Sequence, residues 1–239
     1  ADVAMPLAAE RGGADVIEWG VPYSDPSSDG PTIQRAMERA LAAGAGLSTA
    51  LAAVARFRAE GGTAPVVLFG YYNPIFVTGV DAFAARAAAA GVSAVLTVDL
   101  PLEELPEIAE PLRRVGVGLV PLCAPTSTAD RLPRLGSLEP AFVYYISVAG
   151  VTGQKAVELP SSTRLDAIRA ASSAPVAVGF GIRTAADVAR VGAIADGVVV
   201  GSALIEASQA AMATGGVAAA ADAVASRVAA LRAALPARS

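Results

Sequence analysis

Glu18 and Asp29 are the two side chains whose types and separation invite chemistry. They share the segment Asp15-Val-Ile-Glu18-Trp-Gly-Val-Pro-Tyr-Ser-Asp25-Pro-Ser-Ser-Asp29-Gly-Pro-Thr-Ile-Gln34, in a sequence that contains no histidine. Proton transfer at neutral pH therefore falls to carboxylates. Glu18 interrupts an apolar β-type run that Pro22 closes, which places one acid near the C-terminal end of a strand and the other on the loop beyond it. Two such environments push two carboxyl pKa values apart, giving one protonatable group and one fixed charge.

The elements that must position these acids are legible as an alternation. Short β-branched runs near 15–21, 65–71, 93–98, 118–123, 141–147, 175–179 and 197–200 read as strands, each stopped by Pro, Asn, Asp or Gly. Alanine-rich stretches at 33–43, 47–59, 81–90, 102–115, 162–171 and 185–191 read as helices between them, and 207–234 as a surface helix. The runs are apolar on both parities, as strands covered on both faces should be. Repeated βα units predict parallel strands and an α/β fold, a closed (β/α)8 TIM barrel. Seven strands are one short of that number, and the chain opens inside what reads as a helix over 1–12, so the expectation is a barrel whose first strand is missing from this sequence. No linker or composition shift divides residues 1–239, which predicts a single domain.

Composition narrows the function classes. The 239 residues are 54% hydrophobic with a net charge of −4. No basic stripe or aromatic–basic interleave suggests nucleic acid, and no run reaches the length of a membrane span. No basic, apolar-cored leader opens the sequence, so a soluble cytoplasmic protein is expected. Cys123 stands alone and reads as a buried structural thiol, and without histidine the usual zinc ligand sets are excluded. Metal is not expected.

Glycines cluster after the later strands, as Gly150-Val-Thr-Gly153, Gly179-Phe-Gly181 and Gly201-Ser202. In a βα barrel these ends converge on one rim, where backbone N–H groups bind a phosphate without help from lysine. A phosphomonoester site follows from that register.

The acidic segment and the glycine-rich ends together resemble the tryptophan synthase alpha subunit family over nearly the whole chain. The most specific part is Glu18-Trp-Gly-Val-Pro-Tyr-Ser-Asp25-Pro-Ser-Ser-Asp29-Gly-Pro, close to the family's E-x-G-x-P-[FY]-S-D-P-x-x-D-G-P. Tyr71-Tyr-Asn73-Pro, Asp99-Leu-Pro101, Pro125-Thr-Ser, Tyr144-Tyr-Ile-Ser147 and the three glycine motifs recur in family order. The resemblance implies a retro-aldol cleavage of indole-3-glycerol phosphate to indole and glyceraldehyde 3-phosphate, with Glu18 as general acid/base and Asp29 as its ionised partner. It further implies Tyr144 beside the glutamate, and Tyr71 and Leu96 along the indole pocket. Thr152, Gly153, Phe180, Gly181, Gly201 and Ser202 would hold the substrate's phosphate end. Asp25 and Asp99 would face a beta subunit in an alpha-beta-beta-alpha assembly. No cofactor is implied in this chain, pyridoxal phosphate being expected only in the beta partner. Two departures stand out: Val148 replaces the family's usual arginine after Ser147, and Ser27-Ser28 replaces residues often apolar there. Two alternatives stay open, a free-standing lyase that releases indole and a catalytically weak relative that activates a beta-like partner.

Overall fold

Short parallel strands alternate with helices along the computed structural model, which describes residues 3–146, 160–179 and 181–237. Helix α1 (Ala4–Arg11) precedes β1 (Ile17–Gly20), and α2 (Pro31–Ala42) and α3 (Leu47–Ala59) lead to β2 (Val66–Gly70). Helices α4 (Tyr72–Thr78) and α5 (Val80–Ala90) lead to β3 (Ala94–Thr97), and α6 (Pro106–Arg114) to β4 (Gly118–Leu119) and β5 (Leu122–Cys123). Then follow α7 (Arg134–Leu138), β6 (Val143–Ile146), α8 (Ser162–Ala171), β7 (Val176–Gly179), α9 (Ala185–Gly192), β8 (Gly197–Val199) and α10 (Ser202–Arg232). Non-helical backbone at Gly216, with φ of 67°, breaks α10 into two helical stretches.

The ladders run in the order β1-β2-β3-β4 and β5-β6-β7-β8, every pairing parallel. The expected strand over 118–123 is thus divided, and the reason is Pro121, which has no N–H to give a ladder. The run still serves both sides: Val120 N donates to Val95 O at 2.9 Å, and Leu119 O and Pro121 O accept from Ala141 N and Tyr144 N at 2.9 and 3.0 Å. Helix 102–115 begins later than expected, at Pro106, because residues 101–105 form turns on the Pro101 carbonyl.

Strand parity sorts the core into two layers. Ile17, Val66, Leu68, Val95, Leu119, Cys123, Val143, Tyr145, Val176 and Val178 belong to a large cluster with the helices, including fully buried Phe57 and Phe83. Val67, Ala94, Leu96, Val120 and Tyr144 form a second cluster inside the curved sheet, with Phe69, Leu122, Ile146 and Val199 packed against it. Each buried large side chain contributes about 1.5–3 kcal/mol relative to exposure, so the two-layer arrangement fixes which parity faces inward.

The strand N-terminal face is stitched by polar clamps. Arg58 donates to the carbonyls of Gly62, Ala64 and Gly91 at 2.7–3.1 Å, and Glu10 accepts from Thr63 and Ala64. The opposite rim is left for chemistry.

Two buried polar atoms, Arg164 Nε and the Thr97 hydroxyl, have no partner among the described residues. Thr97 is 2% exposed at the end of β3. Thr97→Val keeps the shape and removes the orphan, so a gain of about 1 kcal/mol in unfolding free energy is expected by urea denaturation. A loss of that size would mean that the hydroxyl is engaged.

Candidate active site

Glu18 projects into the bore because its neighbours on β1 are claimed by the outer layer. Ile17 is 7% exposed, and Trp19 meets Phe57 edge-on with ring centroids 6.1 Å apart. A slip of one residue would bury the carboxylate among helices, so this anchoring sets its direction. In register Glu18 lies level with Val67, itself level with Ala94, both on the inner face. Solvent reaches Glu18, yet its carboxyl is raised from the ordinary 4.5 to about 7. Both follow from one position: the bore is open to water at that point, while protein on nearly every other side replaces the bulk water that would stabilise a charge. Desolvation is the larger cause of the rise and the negative charge of Asp29 the second.

Asp29 is held by residues distant in sequence. Its Oδ2 accepts from the Tyr71 hydroxyl at 2.7 Å, and that hydroxyl in turn accepts from Ser28 N at 3.0 Å. Tyr71 is 4% exposed and stacks on Tyr23 with ring centroids 4.6 Å apart. Gln34 donates to the carbonyls of Asp29 and Pro26 at 2.8 and 3.3 Å, drawing the loop onto the first turn of α2. Burial raises the Asp29 carboxyl above its usual value and the Tyr71 hydrogen bond opposes that rise. Tyr71 itself is pushed up to about 12, first by burial and then by Asp29, so it stays a donor across the physiological range. Its hydroxyl serves Asp29 as well as its ring serving the pocket wall.

Tyr144 joins the two acids. Its phenol is raised well above the usual range by burial and then by the charges of Glu18 and Asp29, which brings all three groups into one electrostatic site. The ring occupies the space where Gly179 lacks a side chain: a Cβ there would lie 2.6 Å from Tyr144 Cζ and closer still to the hydroxyl. Leu96, fully buried, belongs to the same inner cluster. Cys123 is 1% exposed with its thiol pushed up to about 11 by burial, the state of an inert core thiol.

Of the residues expected to hold the phosphate, Gly181, Gly201 and Ser202 are described. Gly181 is exposed with φ of 74°, a conformation that favours glycine, and Gly201 is the N-cap of α10. Ser202 opens that helix, and Leu204 N to Gly201 O at 2.9 Å is an early capping bond, so the N–H groups of Ser202 and Ala203 precede it. Thr152, Gly153 and Phe180, with Val148, lie outside the described residues. Asp25 and Asp99 are exposed on the rim. Asp25 accepts from Ser24 Oγ at 2.5 Å, and Asp99 caps α4 by accepting from Tyr72 N at 2.8 Å.

Sequence reasoning missed Phe76 and Val77, which stand 62% and 76% exposed on α4 near Asp99. An apolar pair in a short helix after a strand gives no periodicity to read, and α4 itself went unpredicted. The sequence presents Gly179 as part of a glycine motif, and nothing in it says that a tyrosine fills the space beside that residue.

Comparison with known proteins gives a consistent result. The model of the family described as tryptophan synthase alpha chain matches residues 4–234. The tryptophan synthase alpha chain of Xanthomonas axonopodis pv. citri is 52% identical over 209 residues, 87% of this chain and 78% of that one. Among solved structures, tryptophan synthase subunit alpha from Legionella pneumophila superposes with a TM-score of 0.86 at 36% identity, covering 98% of this chain and 86% of that one. Mycobacterium tuberculosis tryptophan synthase gives a TM-score of 0.84 at 37% identity, covering 98% and 86%.

Proposed function

The chain belongs to the tryptophan synthase alpha chain family and carries its aldolase-type lyase reaction, and from that premise we propose which residues cleave indole-3-glycerol phosphate and how. The observation that carries the assignment is Glu18, an inward carboxyl raised to about 7 beside Asp29. A group poised near neutrality serves equally as donor and acceptor. Protonated Glu18 delivers its proton to the indole ring carbon that bears the glycerol chain. The ring nitrogen becomes positive, and its N–H donates to the Asp29 carboxylate, which Tyr71 holds in place. Glu18, now ionised, takes the proton from the adjacent glycerol hydroxyl. The carbon–carbon bond breaks, its electron pair returns to the ring, and indole and glyceraldehyde 3-phosphate leave with Glu18 protonated again.

Tyr144 shares the electrostatic environment of this pair and, with Leu96 and Tyr71, forms the wall for the indole. The phosphate end is assigned to Gly181, Gly201 and Ser202, where a helix N-terminus favours an anion, together with Thr152, Gly153 and Phe180. The partner is a beta subunit, which would carry the pyridoxal phosphate. Exposed Asp25 and Asp99 support docking on that rim, and so do Phe76 and Val77, a bared apolar pair on the helix whose first N–H Asp99 caps, since exposed apolar side chains are what an interface centre buries. Among the described residues no single helix is long and apolar enough to cross a membrane; the cytoplasmic placement of the reaction that we propose rests instead on the family reading.

The test is indole release from indole-3-glycerol phosphate with and without an added tryptophan synthase beta subunit. Low activity that rises strongly with beta is the expected result. High activity alone would favour a free-standing lyase, and none in either case would overturn the catalytic assignment.

A further inference from the structure

Three rim segments meet on a carboxylate that the reaction does not use. Glu206 lies in the second turn of α10. Its Oε1 accepts a hydrogen bond from Thr32 Oγ1 at 2.9 Å, and its Oε2 is paired with the Arg183 guanidinium. Thr32 belongs to the first turn of α2, just beyond Asp29, and Arg183 follows Gly181 closely on the loop after β7. Arg183 is itself fixed at the backbone, its carbonyl accepting from Arg227 at 2.6 Å and its N–H donating to Asp187 at 3.2 Å. Ile33 packs toward Gly201, with its Cδ1 at 4.0 Å from where a glycine Cβ would stand. The junction spans the flank between β8 and β1, across which no ladder runs among the described residues. The Arg183 hydrogen bond, opposed by burial and joined by the Thr32 bond, holds the Glu206 carboxyl below its usual value.

We propose that Glu206 is a positioning residue that fixes the acid-bearing segment ending in Asp29 against the phosphate-holding rim of Gly181, Gly201 and Ser202. The inference rests on the functional reading above. With no ladder on this flank among the described residues, contacts between side chains help to set the distance between the two segments, and Glu206 touches both. Its arms are chemically distinct, a hydroxyl bond toward the acid and an ion pair toward the phosphate rim, so they can be cut one at a time.

Steady-state kcat and KM for indole-3-glycerol phosphate, measured with the beta subunit present, separate the arms. Arg183→Met is expected to raise KM about fivefold with kcat within about twofold of wild type, the size of one exposed ion pair. Thr32→Val is expected to lower kcat about fivefold with KM within about twofold, because it loosens only the acid segment. Glu206→Gln is expected to move both constants, and the exchanged pair Arg183→Glu with Glu206→Arg to restore KM without restoring kcat. Thermal midpoints taken alongside expose a merely structural role, which would lower the midpoint and leave both constants alone. That pattern, or unchanged constants in Glu206→Gln, overturns the proposal. Competition by inorganic phosphate against substrate tests the underlying site separately: with competition present and constants unchanged the junction alone fails, and without competition the site reading fails and the junction with it.

Discussion

Glu18→Gln is expected to lower kcat for indole release by about 10² to 10⁴, the usual share of general acid–base assistance, while KM stays within about twofold. Glutamine copies the shape and neutrality of the protonated acid, so the pocket keeps its fit and loses only the proton. The wild-type rate should fall as pH rises through about 7, because the first step needs the protonated form of a carboxyl raised to that value. Asp29→Asn removes the charge that contributes to this rise and should move the limb to lower pH, in addition to slowing the reaction. Stability carries the same signature with a definite sign. A carboxyl whose pKa is about 7 when folded and 4.5 when not keeps a proton that the unfolded chain has released, so its contribution to stability falls as pH rises between those values. Glu18→Gln should therefore gain stability over wild type above pH 7 and show no such gain below about pH 4.5, as read by thermal midpoints across pH. Retention of more than about a tenth of wild-type kcat would remove Glu18 from the proton transfers.

Gly179→Ala, a change of one methyl group, is expected to lower kcat by about 10², the scale on which a displacement of about 1 Å disables a reacting constellation. The added carbon would stand 2.6 Å from Tyr144 Cζ. Either the ring swings toward the space used by Glu18 and substrate, or β7 moves away from β6, with which it pairs from Val143↔Val176 to Ile146↔Gly179. Tyr144→Phe removes the atom nearest the new methyl, so the double variant should regain part of the thermal midpoint lost by Gly179→Ala. An alanine variant with wild-type kcat and midpoint would show that the ring has room to spare.

The alternation of strands and helices was legible because each βα unit repeats the same apolar run, punctuation and alanine-rich stretch. Helices α4 and α7 were not, being of seven and five residues, too short to display a period. Glu18 and Asp29 could be found because their signal is local: an acid in an apolar run and another just past the proline that ends it. What surrounds them could not. The Tyr71 hydroxyl on Asp29, the Tyr144 ring beside Gly179 and the Thr32 hydroxyl on Glu206 join residues 42, 35 and 174 positions apart. Which side chain faces which is decided by register and parity across several strands, information that no short window contains. Cys123 was legible for the opposite reason, since an isolated thiol in a strand is buried by default.

The ladder order separates the two kinds of work along the chain. Glu18 and Asp29, with Tyr71, belong to the strands and loops of β1 to β4, whereas Tyr144, Gly181, Gly201 and Ser202 belong to those of β5 to β8. On the proposed reading, proton transfer is the property of the first half and anchoring of the non-reacting phosphate largely that of the second. Binding energy collected far from the breaking bond is what holds the reactive end in place. A lineage could therefore retune which phosphorylated side chain it accepts through changes confined to the second half, while inheriting its proton chemistry unaltered from the first.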